Sequence, residues 1–73
     1  MAKLAGVSGR QAVNAFVRAG WQLARQKGSH AILKKRGRPN LVIPMHRTVA
    51  PFLLRSQVRR AGLTEEEFLK LLK

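Results

Sequence analysis

The run Arg25-Gln26-Lys27-Gly28-Ser29-His30 sets a histidine directly after a Gly-Ser pair, with two cations just before it. Imidazole is the side chain whose charge ordinarily changes between pH 5 and 8, so its neutral form can take a proton from a hydroxyl. Cutting RNA without a metal needs a base near the ribose 2′-hydroxyl, cations around the phosphate that gains charge, and an acid for the departing oxygen. His30 fits the base, and Arg25 and Lys27 fit the cations. The backbone of Gly28 and the Ser29 hydroxyl fit hydrogen bonds to a phosphate oxygen, and glycine at 28 permits a tight reversal while leaving room for a polymer. Taken alone, one histidine beside a basic turn reads more simply as a structural or exposed residue. His46, just after Pro44-Met45, comes within reach of His30 if the third strand ends near the start of the second. An acid–base pair is one reading of the two, and an exposed loop histidine is the simpler one.

The charge pattern names a class of ligand. The net charge is +12 on 73 residues, and 13 of the 15 Lys and Arg lie in positions 1 to 64, where there is no Asp or Glu. Repulsion of this kind weakens a compact state, so a phosphate backbone or an acidic partner is the natural complement. Lys34, Lys35, Arg36 and Arg38 form one basic run, and Arg55 and Arg59 stand four apart with Arg60 beside them. The four-residue spacing of like charges costs a few tenths of a kcal/mol until an anion relieves it. Arg36-Gly37-Arg38-Pro39 resembles the minor-groove core of an AT-hook, although between two strands it reads more simply as a charged hairpin tip.

Other chemistries lack their residues. There are no cysteines, which removes disulfides and thiolate metal sites. The only acids are Glu65, Glu66 and Glu67, whose successive helical directions diverge, so they cannot converge on one ion. Two histidines do not complete a zinc shell, and Ser29 lacks an acid to orient a triad with His30. No metal and no cofactor are expected. The start Met1-Ala2-Lys3-Leu4-Ala5-Gly6 lacks the apolar run of a signal peptide, and no stretch approaches the ~20 apolar residues that span a bilayer, so the expectation is a cytoplasmic protein without membrane contact.

The elements that must position these residues follow from periodicity. Ser8 and Gln11 fit a capping box, Val13, Phe16 and Val17 recur at helical spacing, and Gly20 stops the helix. From Trp21 the period is two, with Trp21, Leu23 and Arg25 on one side and Gln22, Ala24 and Gln26 on the other. After the Lys27-Gly28-Ser29 turn, His30 to Lys34 forms a second strand that is apolar on both faces and does not reveal which is core. A glycine-containing loop over 34–39 leads to a third strand, Asn40 to Pro44. Pro51 opens a second helix with Leu54, Val58 and Ala61 as its stripe, and Gly62 ends it. Thr64 and Glu67 form another capping box, with Leu63 and Phe68 as a staple and Leu71 and Leu72 continuing the apolar face. Trp21 reads as core rather than as a base-stacking platform. The expected fold class is α+β: a single domain over 1–73 with the α-β-β-β-α order of a double-stranded-RNA-binding domain, a three-stranded antiparallel sheet and a short extra C-terminal helix. A chain of this length buries only roughly 60 to 65% of its unfolded surface, so the core is thin.

Ser8-Gly9-Arg10, Ala19-Gly20-Trp21, the run ending in Gly28-Ser29-His30, Ile43-Pro44-Met45-His46, Leu54-Arg55-Ser56 and Ala61-Gly62-Leu63-Thr64 through Leu69 together resemble a HicA-type toxin, in the right order over nearly the whole chain. The resemblance implies a small ribonuclease of double-stranded-RNA-binding-domain-like fold that cuts mRNA and arrests translation, held inactive by a HicB antitoxin from the same operon. It implies that His30 is the catalytic residue, since the histidine of the family's Gly-Ser-His motif falls there; the family also commonly has a histidine after the proline at the third strand's end, matching His46, to which no catalytic role is carried over. The expected RNA contacts are Arg25, Lys27, Gly28, Ser29, Lys34, Lys35, Arg36 and Arg38; His46, Arg55 and Arg59 are expected contacts to RNA or to the partner. The antitoxin is expected to be acidic and to cover the histidine turn and the basic sheet edge. One departure stands out: where the family usually carries a polar Lys-Pro-Gly-Thr loop, this chain has Thr48-Val49-Ala50-Pro51-Phe52-Leu53. A module that holds structured RNA without cutting it is the alternative reading.

Overall fold

Ser8 begins the first helix, α1 (Gly9–Arg18), by the expected reciprocal cap: its Oγ accepts the Gln11 N–H at 3.1 Å and the Gln11 side chain accepts the Ser8 N–H at 2.9 Å. Gly20, at φ +97°, ends it with two paired bonds, Gly20 N–H to the Val17 carbonyl and Trp21 N–H to that of Phe16. The chain then forms β1 (Gln22–Lys27), β2 (His30–Lys34) and β3 (Leu41–Pro44), an antiparallel sheet in the order β1-β2-β3, followed by α2 (Pro51–Arg60) and α3 (Glu65–Leu71). The computed structural model describes residues 4–72; Met1 to Lys3, part of the start in which no leader is expected, and Lys73 lie outside them. The fold is α+β, with the α-β-β-β-α order of a double-stranded-RNA-binding domain and a short C-terminal helix.

The ambiguous strand is settled by its neighbours. Ala31 and Leu33 of β2 and Leu41 and Ile43 of β3 are fully buried, so this face is the core and the His30 and Ile32 face is the outer one. Helices α1 and α2 pack on the sheet, and α3 closes over both helices. At the centre Phe16 lies 4.9 Å from Phe68, centroid to centroid, and meets Trp21 edge-on at 6.4 Å. Trp21 is core, as its position suggested, and its buried indole N–H has no partner among the described residues. No helix is long and apolar enough to cross a membrane among the described residues.

Four expectations need correction. Val17 was grouped with the α1 stripe but is 46% exposed, and Ala12 and Ala15 complete the buried face instead. Strand β1 does not alternate strictly. Leu23 pairs with Leu33 and Arg25 with Ile32, so Ala24 is an extra residue, a β-bulge. The bulge puts Leu23 on the helix side and Arg25 on the opposite, outer face with Lys27; Leu23 and Arg25 do not share a side. Trp21 itself precedes β1, and β3 begins at Leu41 rather than Asn40.

Candidate active site

The histidine turn is built on two residues. Gly28 has φ +59°, and among the described residues none but glycine has positive φ, so the Gly28-Ser29 reversal has the sign pattern of a type II′ hairpin turn. Strands with right-handed twist join through such a turn without splaying, and this brings Lys27 directly opposite His30. Side chains paired in this way have Cβ atoms about 4.5–5.5 Å apart on one face. The bulge adds Arg25 to that face, one step further along, opposite Ile32. A Cβ on Gly28 would meet nothing within 4 Å, so the approach to the turn is open. His30, Lys27, Arg25 and Ser29 are all exposed.

On its other side His30 pairs with Pro44. Beyond Pro44 the chain leaves the sheet and passes the N-terminus of α1, where the Gly9 N–H donates to the His46 carbonyl at 2.9 Å. A Cβ on Gly9 would lie 2.3 Å from the Pro44 oxygen and 2.6 Å from the Met45 Cα, so only glycine fits this approach. The Met45 N–H donates to the Ser29 carbonyl, tying the residue before His46 to the residue before His30. Both histidines line one cleft of about 510 Å³ on the outer side of β3. Its apolar wall is Val42 and Pro44 of β3 with Ala50 and Leu53 from the start of α2. Thr48 and Gln57 add polar groups, and the Gln57 side-chain oxygen accepts the outward Val42 N–H at 3.1 Å, which covers the free edge of β3.

The remaining expected contacts lie elsewhere. Lys34 is at the far end of β2 from His30, four steps of ~3.3 Å or about 13 Å away, and the loop after it extends further. That loop is a type II turn over 35–38, with Gly37 at φ +78° and the Arg38 N–H bonded to the Lys35 carbonyl. Lys35 Nζ donates to the Ala19 carbonyl at 3.0 Å, compensating the C-terminus of α1. The Arg38 guanidinium lies over Gly62, within 2.7 Å of where a Cβ would stand. Lys35 thus caps the end of α1 and Arg38 lies against the glycine that follows α2; both are exposed, as are Lys34 and Arg36. Arg55 Nε bonds Glu65 Oε2 at 2.9 Å, while Arg59 stands exposed beside that pair.

The three glutamates are confined to the first turn of α3, away from the cleft. No group of three or more His, Cys, Asp or Glu side chains gathers among the described residues. Glu67 has its pKa lowered, chiefly because it accepts the Thr64 backbone N–H, with the hydroxyl of the same residue adding to the effect. This belongs to the helix cap and not to any chemistry at the cleft. The cleft's apolar wall was not legible as a site in the sequence. Its only signal was the alternation that leaves Val42 outward between Leu41 and Ile43.

A family model described as the HicA toxin of bacterial toxin-antitoxin matches residues 9–63, three quarters of the chain. No curated protein and no solved structure matches it. The match runs from the glycine at the start of α1, through the histidine turn and the cleft, to the end of α2: the chain belongs to the HicA toxin family of bacterial toxin–antitoxin systems.

Proposed function

We propose that this toxin is an endoribonuclease that cuts mRNA without a metal and so inhibits translation. His30 in its neutral form takes the proton of a ribose 2′-hydroxyl, whose oxygen attacks the adjacent phosphorus. Lys27, and Arg25 brought to the same face by the bulge, neutralise the phosphoryl oxygens as they gain charge. Ser29 and the Gly28 backbone lie beside them as hydrogen-bonding groups. The products are a 2′,3′-cyclic phosphate and a 5′-hydroxyl.

The observation that carries this reading is one exposed imidazole paired across a two-residue turn with Lys27, on a face shared with Arg25 and opening into a cleft that can receive unpaired RNA. Metal independence draws support from the absence of any carboxylate lining that cleft. The partner in this reading is an acidic antitoxin of the HicB type, and the place of action is the cytoplasm, where the mRNA is. It covers the histidine turn and the β1 edge, whose six residues are all exposed.

Incubating RNA with the protein in excess chelator tests the proposal. The expected result is cutting that survives chelation, leaves cyclic phosphate ends and is abolished in His30→Ala. Cutting that stops with chelator, or that continues in His30→Ala at the parent's rate, overturns it. Salt-sensitive binding with RNA left intact after long incubation would instead make this a non-catalytic RNA-binding module.

A further inference from the structure

We propose that His46 is the general acid of the same reaction, delivering a proton to the departing 5′-oxygen. This rests on the endoribonuclease reading, in which His30 is the base. Expulsion of an unprotonated 5′-alkoxide is slow, and a positioned acid ordinarily contributes about 10²–10⁴-fold.

The placement of His46 is built in by the backbone. The Met45 N–H bonds the Ser29 carbonyl, so the residues preceding the two histidines are joined directly. From the other side the Gly9 N–H holds the His46 carbonyl at 2.9 Å, in an approach so close that a Cβ on Gly9 would fall 2.3 Å from the Pro44 oxygen. Segment 44–46 is therefore fixed between the histidine turn and the start of α1, and both imidazoles open into one cleft of about 510 Å³. Of the side chains lining it, only the imidazoles of His30 and His46 are of a type that serves as acid or base in catalysis. With His30 committed to the 2′-hydroxyl, His46 is the proton source that remains in the cleft.

The step balances. The 2′-oxygen to phosphorus bond forms as the phosphorus to 5′-oxygen bond breaks, the 2′-hydroxyl proton passes to His30, and the imidazolium of His46 gives its proton to the 5′-oxygen. His30 ends protonated and His46 neutral. Both rings are exposed, so solvent restores each for the next turnover.

The test compares a short RNA with its analogue in which sulfur replaces the bridging 5′-oxygen, because a thiolate leaves without being protonated. His46→Ala is expected to cut the oxygen substrate about 10²–10⁴-fold more slowly than the parent and the sulfur substrate at nearly the parent's rate. His30→Ala is expected to be slow on both. Because His46 is held through its backbone carbonyl, the variant should keep the parent's unfolding midpoint. If His46→Ala unfolds early, His46→Gln replaces it, with the same expectation. With the parent active, a His46 variant equally slow on both substrates, or unimpaired on oxygen, overturns the acid role alone. A rescue by sulfur of His30→Ala instead of the His46 variant also overturns it. A parent inactive on both substrates overturns this proposal and the nuclease reading together.

Discussion

Gly9 and Pro44 touch backbone to backbone: a Cβ on Gly9 would lie 2.3 Å from the Pro44 carbonyl oxygen and 2.6 Å from the next Cα. Neither neighbour is a flexible side chain that can swing aside. A residue of the first helix thereby sets where the third strand ends, and with it the segment that carries His46.

Replacing Gly9 by alanine should force this junction apart. The expected loss of stability is about 1–3 kcal/mol, the usual cost of overpacking, read as a lower urea midpoint. Cleavage should fall further than the lost folded fraction explains, because the strand end beside His30 moves. A variant with the parent's midpoint and rate would show that the contact relaxes without consequence.

The bulge at Ala24 makes an unusual deletion prediction. Removing Ala24 leaves a regular ladder that keeps Leu23 on the helix side and Arg25 on the His30 face. Removing Gln26 leaves a ladder of equal length that turns Arg25 inward. Both variants should fold, and the second should cut RNA about 10- to 100-fold more slowly, matching the roughly 1.5–3 kcal/mol of a charge-assisted hydrogen bond. Equal activity in the two deletions would remove Arg25 from the phosphate site.

The basic residues should divide by position. Lys27→Ala and Arg36→Ala should each weaken RNA binding and flatten its dependence on log salt by up to ~0.7, the value for one phosphate contact on a single strand. Only Lys27→Ala should also lower kcat, since Lys27 pairs with His30 and Arg36 lies at the other end of the sheet. Single-turnover cleavage at saturating RNA separates the effects. A kcat loss of equal size in Arg36→Ala would contradict the division.

Glu67 gives a pH prediction far from the cleft. Its folded pKa is depressed, chiefly by the Thr64 N–H and then by the Thr64 hydroxyl. A depressed carboxyl stabilises the fold above its unfolded pKa, about 4.3, and that contribution fades as pH falls through the lower folded value. Thr64→Ala should raise the Glu67 pKa toward the ordinary range, as read by NMR titration of the side chain. The stability gap between variant and parent should narrow below pH 4. A Glu67 titration unmoved by the substitution would show that the hydroxyl adds nothing and that the backbone N–H alone holds the carboxylate.

Local chemistry alone determined much of this protein. Both capping boxes, the glycines at 20 and 62, Pro51 at a first helical turn and the Gly28-Ser29 reversal fall where the residues demand them, because each depends on a few neighbours and on φ preferences. The charge imbalance pointed to a polyanion by the same short route. The face of β2 that enters the core could not be read, since its alternation is apolar on both sides and only α1 and α2 choose between them. The phase of β1 was also hidden, because a bulge is a property of two paired strands and Leu23-Ala24-Arg25 looks regular in isolation. The union of His30 with His46, and the removal of Lys35 and Arg38 to helix ends, likewise required tertiary structure. Those distances are set by hydrogen bonds and close contacts between residues far apart in the chain, which no local pattern encodes.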